Sequence, residues 1–577
     1  MKAYLHQCWS AWRSLALLFV GAAVMAGCSQ SPTAGVGTGG TGSFNGIAAL
    51  DVTDAPALNY AHVYVTVTGV AFHYNSTAAF SSYSSGKAAG WQIITLPAPK
   101  TIDLAQLTNG AMYADLNGNV SLFSGMALPV GSYQQIRIFL ASTEDALTPS
   151  ATAAGLSFNN EVRQNGDPAH YPLRIPSSDE GIKVLPESPV VVTSGGSVNL
   201  ALDFNLNDDV VKVSLGGATE FMLKPRLGYF DMGSVGSVQG TVSSQNLSAS
   251  MIEVKAEQIK NGTNYRIVRR TTSVDSTTGQ FTLYPLPVFG NATTATYDIV
   301  LRGRNVQTSI ITGVKVHKGT TRASGATGLG TIAMQVGTEF TAQLSSAMHP
   351  TGAWLTFYQT IAGDPALYEV RYQHLDPYTG IFGLPIELST GPIRVAHFSP
   401  GSSPVFTPDH TSAGTFSAVA DIFDLYASGA MLNGISGSAG ETVQLSAANA
   451  PQIESNASSG QISCVFDMAL LGTGMGPGMG MGNKIGNPTM GQVFVTLGGM
   501  IIDSQGDQTG DTNVNTAMQD GGGASSSIVM ANIPSNVTEA VYGIYVMGWG
   551  NGYTVAGKVL GVDLEKGVSS SATINLK

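Results

Sequence analysis

The chain has 577 residues, of which 43% are hydrophobic and only 11% charged, with 70 glycines and a formal net charge of -11. That length exceeds what one hydrophobic core fills, so several domains are expected. The scarcity of charge excludes long surface helices and coiled coils, and the acidic balance excludes nucleic acid as a partner, because phosphate binding needs a basic surface.

In chain order, Lys2 and Arg13 precede a short apolar run, Leu15 to Val24, that ends in Met25-Ala26-Gly27-Cys28. Ten apolar residues are too few to span a bilayer, and small residues ahead of a cysteine are the pattern of a cleaved secretory leader. The stretch resembles the bacterial lipobox, with Met25 where leucine is usual. That resemblance implies cleavage after residue 27, acylation of Cys28 with diacylglyceryl and palmitate-type chains, and a membrane partner held through the lipid. Ser29 in the following position implies the outer membrane, facing either the periplasm or the cell exterior. Residues 28–45 then read as a Gly/Ser/Thr-rich tether. Its GVGTGG has no strand before it and no helix after it, so it is not a dinucleotide fingerprint.

From Ile47 the pattern alternates. In HVYVTVTGVAF (His62 to Phe72), Val63, Val65 and Val67 share one face while Tyr64, Thr66 and Thr68 share the other, as in a half-buried strand. WQIITL, SYQQIRIFLAS, SVNLALDF and FMLKPRL are further strands separated by Gly, Pro and Asn clusters. The blocks LDVTDAPALNYAHVYVTVTGVAFH, TIDLAQLTNG, LPVGSYQQIRIFL, YPLRIPSSDEGIKV, LALDFNLNDDVVKV and FMLKPRL together resemble the bacterial lipoprotein domain called domain of unknown function 4382 (DUF4382), over residues 46–231. The resemblance implies an envelope compartment and no particular activity.

After Gly236 the strands SVQGTVSSQ, MIEVKAEQ, TTGQFTLYPLP, TYDIVLRG and ITGVKVHKGTT resemble the transthyretin-like module that accompanies carboxypeptidases as a regulatory-like domain, a small seven-stranded sandwich. The pattern returns near the C-terminus: YDIVLRG matches YGIYVMG, and ITGVKVHKG matches VAGKVLGVDLEKG, each pair preceded by Leu286-Pro287 or Ile533-Pro534. A more diverged copy reads YTGIFGLP followed by GPIRVAHF. The expected fold class is therefore all-β, with tandem antiparallel sandwiches of immunoglobulin-like or transthyretin-like type at 236–335, 336–450 and 451–577, following the first domain. Units that each close their own core imply small contacts between neighbours.

Chemistry-bearing motifs are sparse: there is no H-E-x-x-H, C-x-x-C, G-x-S-x-G or P-loop. The three cysteines, Cys8, Cys28 and Cys464, exclude a disulfide framework, and Cys464 reads as a buried core thiol. Asp51 and Asp54 sit at a strand end, where they supply hard oxygens for calcium with Asp103 or Asp203, unless Asp54 instead caps the turn before Pro56. In DSQGDQTGDTNVN, Asp503, Asp507, Asp511, Asn513 and Asn515 are oxygen ligands on a Gly-containing segment, read either as a calcium loop or as a solvated hairpin insertion. Met475, Met479, Met481 and Met490 lie in a Gly-rich run, a thioether set of the kind that holds copper(I), though only Cys464 adds a soft ligand nearby.

Apart from calcium no cofactor is suggested. The expected function is that of a non-enzymatic, lipid-anchored envelope protein whose sandwich loops bind a glycan or protein partner. The alternative is a metal-dependent protein, with calcium or copper, or an envelope enzyme.

Overall fold

Alternating β-branched and polar residues punctuated by glycine and proline give a chain built almost wholly of strands. A computed structural model describes residues 45–576 except 56–59, 81–88, 114–120, 177, 216–217, 226, 244–246, 261, 345–353, 375–385, 422–425, 429–430, 446–452, 456–457, 468–487, 499, 507–511, 520–526, 536–540, 551–552 and 565–568. The leader, Cys28, the tether, YTGIFGLP, Met475, Met479, Met481, Asp507 and Asp511 lie outside the described residues.

In the first domain Asn45–Ala55 runs between Phe123–Pro129, antiparallel, and Ser197–Asn205, parallel, and Gly228–Asp231 completes a four-stranded sheet. Facing it is an eight-stranded sheet centred on Tyr60–His73. The expected alternation holds on its inner face: Val63, Val65 and Val67 join Leu50, Val52, Ile138, Leu202, Phe204 and Phe221 in one core. Each such side chain contributes about 1.5–3 kcal/mol on burial. The outer face departs from it at Thr66, which is buried. The Thr66 amide donates to Asn160 Oδ1 (2.9 Å) and its hydroxyl donates to the Asn159 carbonyl (2.6 Å), so a polar loop covers this part of the sheet.

The C-terminal half holds three sandwiches with one topology. In the first, seven strands run Val235–Ser243, Glu253–Ile259, Arg266–Ser273, Gln280–Pro287, Thr294–Arg302, Ser309–His317 and Thr327–Ala333. Their two sheets have the orders fourth–first–seventh and third–second–fifth–sixth, with the first and seventh strands parallel. The same two orders and the same parallel pair recur between Glu339 and Leu445, and again between Ser458 and Asn575. YDIVLRG and YGIYVMG are both fifth strands, and ITGVKVHKG and VAGKVLGVDL are both sixth strands, so the internal match in sequence is a match in position.

The diverged copy differs. Taken in order, GPIRVAHF fills the place of a fifth strand, but Thr415–Asp421 holds that place in the second unit. Ile393–His397 instead leaves its own unit and pairs in parallel with Ser309–His317 of the preceding one, and Thr407–Asp409 adds to the same sheet. Its alternation suits any half-buried strand, so the pattern specifies strand without specifying the partner.

Neighbouring units also share more than the small contacts expected of independent modules. Val300 and Ile310 of the first sandwich lie in the core of the second. Across the same junction Lys255 Nζ reaches Glu369 Oε1 at 2.7 Å, and Arg266 donates to the Ala366 carbonyl at 2.9 Å. The third sandwich packs on the first domain: Met222 clusters with Phe494, Tyr545, Met547 and Trp549, and the Lys183 amide donates to the Gly498 carbonyl at 2.9 Å. The cause is legible in the strand Val541–Gly550, buried from Tyr542 through Trp549 on both faces, which needs a second layer beyond its own sandwich.

Candidate functional site

The parallel pairing of Asn45–Ala55 with Ser197–Asn205 places Thr53 opposite Asp203 and Asp54 opposite Phe204. Of the two partners expected for the Asp51/Asp54 pair, Asp203 is thus beside Asp54, whereas Asp103 is engaged elsewhere, with His62. Asp54 is fully buried, and its Oδ1 accepts from the Leu206 amide at 3.2 Å, the first residue of the short helix Leu206–Asp209. It therefore caps a backbone amide, but of a different strand connection from the turn before Pro56. Asp51 lies further along and accepts from the Leu122 amide at 3.2 Å.

The cation facing these carboxylates is Arg270, supplied by the next domain. Its side chain is 0% exposed and is ion-paired with Asp203. The same guanidinium donates to Thr53 Oγ1 (3.0 Å) and to the Asp54 carbonyl (2.7 Å). Burial, with Asp203 beside it, holds the Asp54 carboxyl well above the usual range, Arg270 opposing. Burial likewise raises Asp203 against the pull of Arg270. Chemically this is a fixed joint: hard oxygens are present, and a guanidinium stands where an oxygen-liganded cation would sit. Thr272 and the Thr282 amide, both bound to Asn109 Oδ1, extend the joint by 3.0 and 3.3 Å contacts.

The other expected oxygen set is split between elements. Asp503 lies on the strand Met500–Gly506, its Oδ1 accepting from the Ser504 amide at 2.8 Å. Asn513 and Asn515 are not on a loop but on the helix Thr512–Gln519, where Asn515 Oδ1 accepts from the Gly491 amide at 2.9 Å. Val514, Ala517 and Met518 on that helix are core residues, an apolar spacing that explains why it forms. Among the described residues no three His, Cys, Asp or Glu side chains are gathered as a metal site would need. Cys464 is a core residue, its thiol pushed up to about 12 by burial. Met490 is half-buried at the start of Met490–Leu497.

One titratable cluster was not anticipated. On the outer face of Tyr60–His73, His62 Nδ1 meets Asp103 Oδ2 at 2.7 Å and the His62 ring stacks on Tyr64, while Arg163 lies over Tyr64 at 5.2 Å. Arg163 and His170 both bind Glu161 Oε1, each at 2.8 Å. Ser157 Oγ also lies near His170 Nδ1, at 3.5 Å. A hydrolytic relay needs the carboxylate and the hydroxyl on opposite imidazole nitrogens. Here both approach Nδ1, so Glu161 and Ser157 do not stand on opposite nitrogens of the ring. No local sequence signal announces the cluster, because its members come from strands brought together only by the sheet.

Raised carboxyls set the pH dependence. Burial pushes Asp51 and Asp503 up to about 7 and holds Glu257 well above the usual range. The folded protein then binds more protons than the unfolded chain between about pH 4 and 7, so stability is expected to fall as pH rises through that window. Asp503→Asn should flatten the slope and stabilise the protein at pH 8 by about 1–2 kcal/mol, allowing for the partial exposure of the group. Denaturant midpoints at pH 5 and 8 measure this; an unchanged slope in the variant contradicts it.

No curated protein matches the chain. Among solved structures, the shaft pilin SpaA from Lactobacillus rhamnosus GG is 11% identical, with 41% of this chain and 96% of that one covered and a TM-score of 0.16. A Streptococcal ancillary pilin is 8% identical, covering 69% of this chain and 98% of that one, with a TM-score of 0.11. A leucine-rich repeat protein from Bacteroides thetaiotaomicron is 16% identical over 37% of this chain and 27% of that one, with a TM-score of 0.11. Similarity at this level adds nothing to the strand topology already described. The first domain is more definite: residues 45–225 match the family model described as Domain of unknown function (DUF4382), close to the span 46–231 expected from the sequence blocks.

Proposed function

We propose that the protein is a non-catalytic, lipid-anchored envelope module that presents a rigid β surface to a glycan or protein partner. The observation that carries this reading is where the buried charge goes. Arg270, Lys255, Arg266 and Glu180 spend their hydrogen bonds joining one domain to the next, through Asp203, Glu369, Asp364 and the Gly498 amide. Ion pairs of this kind fix orientation between domains more than they add stability. A rigid array of sandwiches displays its connecting loops at constant spacing, which serves recognition. Trp91 and Trp549 are both buried, so sugar stacking on those two rings is not part of the reading.

The test is binding without turnover. The full mature protein, immobilised and exposed to envelope glycans and to solubilised envelope proteins, is expected to retain a ligand that is recovered chemically unchanged. Recovery of a cleaved or modified ligand, with dependence on added calcium or copper, overturns this reading in favour of a metal-dependent enzyme.

A further inference from the structure

The corner of the first domain where the chain enters carries exposed apolar side chains that the fold leaves uncovered. Ile47 is 53% exposed, Val130 46% and Val191 58%, and Tyr74 is 38% exposed beside them. Strand pairing brings them together. Asn45 pairs with Pro129, next to Val130; Val192 pairs with Gly131, setting Val191 opposite Ser132; and the Gly195 amide donates to the Asn45 carbonyl. A Cβ on Gly131 would strike the Tyr74 ring at 2.4 Å, which places that ring over the same turn.

Among the described residues, the strand segments that form the corner also carry no charge. No charged residue occurs in 45–50, 124–136 or 188–202. The charged residues that end those segments are already engaged: Asp51 by the Leu122 amide, Arg137 by Glu180, Glu187 by Arg269 and Asp203 by Arg270. In an acidic chain this is a neutral apolar face, with the Tyr74 hydroxyl bound to that of buried Tyr133 at 3.2 Å, and a face of that composition settles at a bilayer's headgroup boundary.

We infer that this corner, Ile47, Val130, Val191 and Tyr74, rests on the surface of the lipid bilayer to which Cys28 is anchored. The inference rests on the lipid-anchor reading proposed above. What selects a bilayer over another occupant is the length of chain in between: residues 29–44 connect the anchor to Asn45 at the edge of the patch. Sixteen residues reach at most about 50–60 Å, so the patch is held at high effective concentration against the membrane and needs only weak apolar contact to stay there.

The test uses the full mature protein, acylated and reconstituted in zwitterionic phosphatidylcholine vesicles, with a nitroxide on Val191→Cys and, separately, on Val130→Cys. Val405→Cys is the aqueous control, since Val405 is 83% exposed and far along the chain. Buried Cys464 is inert to labelling. Collision with membrane-soluble oxygen relative to a water-soluble nickel chelate should be about threefold or more higher at 191 and 130 than at 405, as for side chains lying in the interface. A chain that floats with the vesicles while all three labels are equally aqueous overturns the patch and leaves the anchor standing. A chain that does not float overturns both. Dipolar broadening at 191, showing a second copy, or equal shielding in Cys28→Ala protein without vesicles, showing coverage by residues 29–44, overturns the bilayer as the occupant.

Discussion

Replacing Arg270 by alanine is expected to destabilise the joint between the first domain and the first sandwich by about 3–5 kcal/mol, the usual cost of removing one partner from a buried ion pair. Asp203 loses its counter-charge, the Asp54 carbonyl and Thr53 lose a donor, and no water replaces them without opening the joint. Calorimetry should then show an early transition that the wild type lacks, because domains that melt together separate when their junction weakens. The double variant Arg270→Ala with Asp203→Asn should recover part of the loss, since a neutral amide costs less to bury than an unpaired carboxylate. An Arg270→Ala protein with a single transition at the wild-type temperature would show that the joint contributes nothing.

The second large effect is expected at Cys28. On the lipid-anchor reading, Cys28→Ala removes the thiol that follows the cleavage site, and with it every acyl methylene, each contributing about 0.8 kcal/mol to membrane binding. Membrane retention should fall from nearly complete to background, while the fold is untouched, because Cys464 has no disulfide to lose and sits in the core of the third sandwich. Fatty-acid labelling that persists in the variant would sink the anchor, and with it the proposed compartment.

How much of this could be read beforehand follows the range of the interactions. The strand class, the first domain's blocks and the equivalence of YDIVLRG with YGIYVMG were legible because alternation and turn residues are local properties of a few neighbouring positions. Cys464 in the core was legible for the same reason. The helix Thr512–Gln519 was missed although Val514, Ala517 and Met518 keep helical spacing, because Asp and Gly just before it outweigh a two-turn pattern. The pairing of Arg270 with Asp203 was not legible at all: the residues are 67 positions apart, and only docking of two finished domains selects one arginine among neighbours such as Arg269. The same holds for the His62, Asp103, Glu161 and His170 cluster, assembled across strands whose order no local pattern encodes.

The strand Ile393–His397, donated by the second sandwich to the sheet of the first, bears on how the chain can be made. As synthesis proceeds from the N-terminus, all seven strands of the first sandwich are delivered while the outer edge of Ser309–His317 still lacks its neighbour. That edge offers a row of unpaired amides and carbonyls until most of the second sandwich has followed, the condition in which a strand pairs with another molecule. Ala396→Pro, which leaves the first sandwich's own residues intact, should prolong that exposure and appear first as aggregation of newly made chains. The donated strand also sets the unit of inheritance. A cut between the first and second sandwiches leaves one with an open edge and the other with a stray strand, so the pair is transferable between proteins only together.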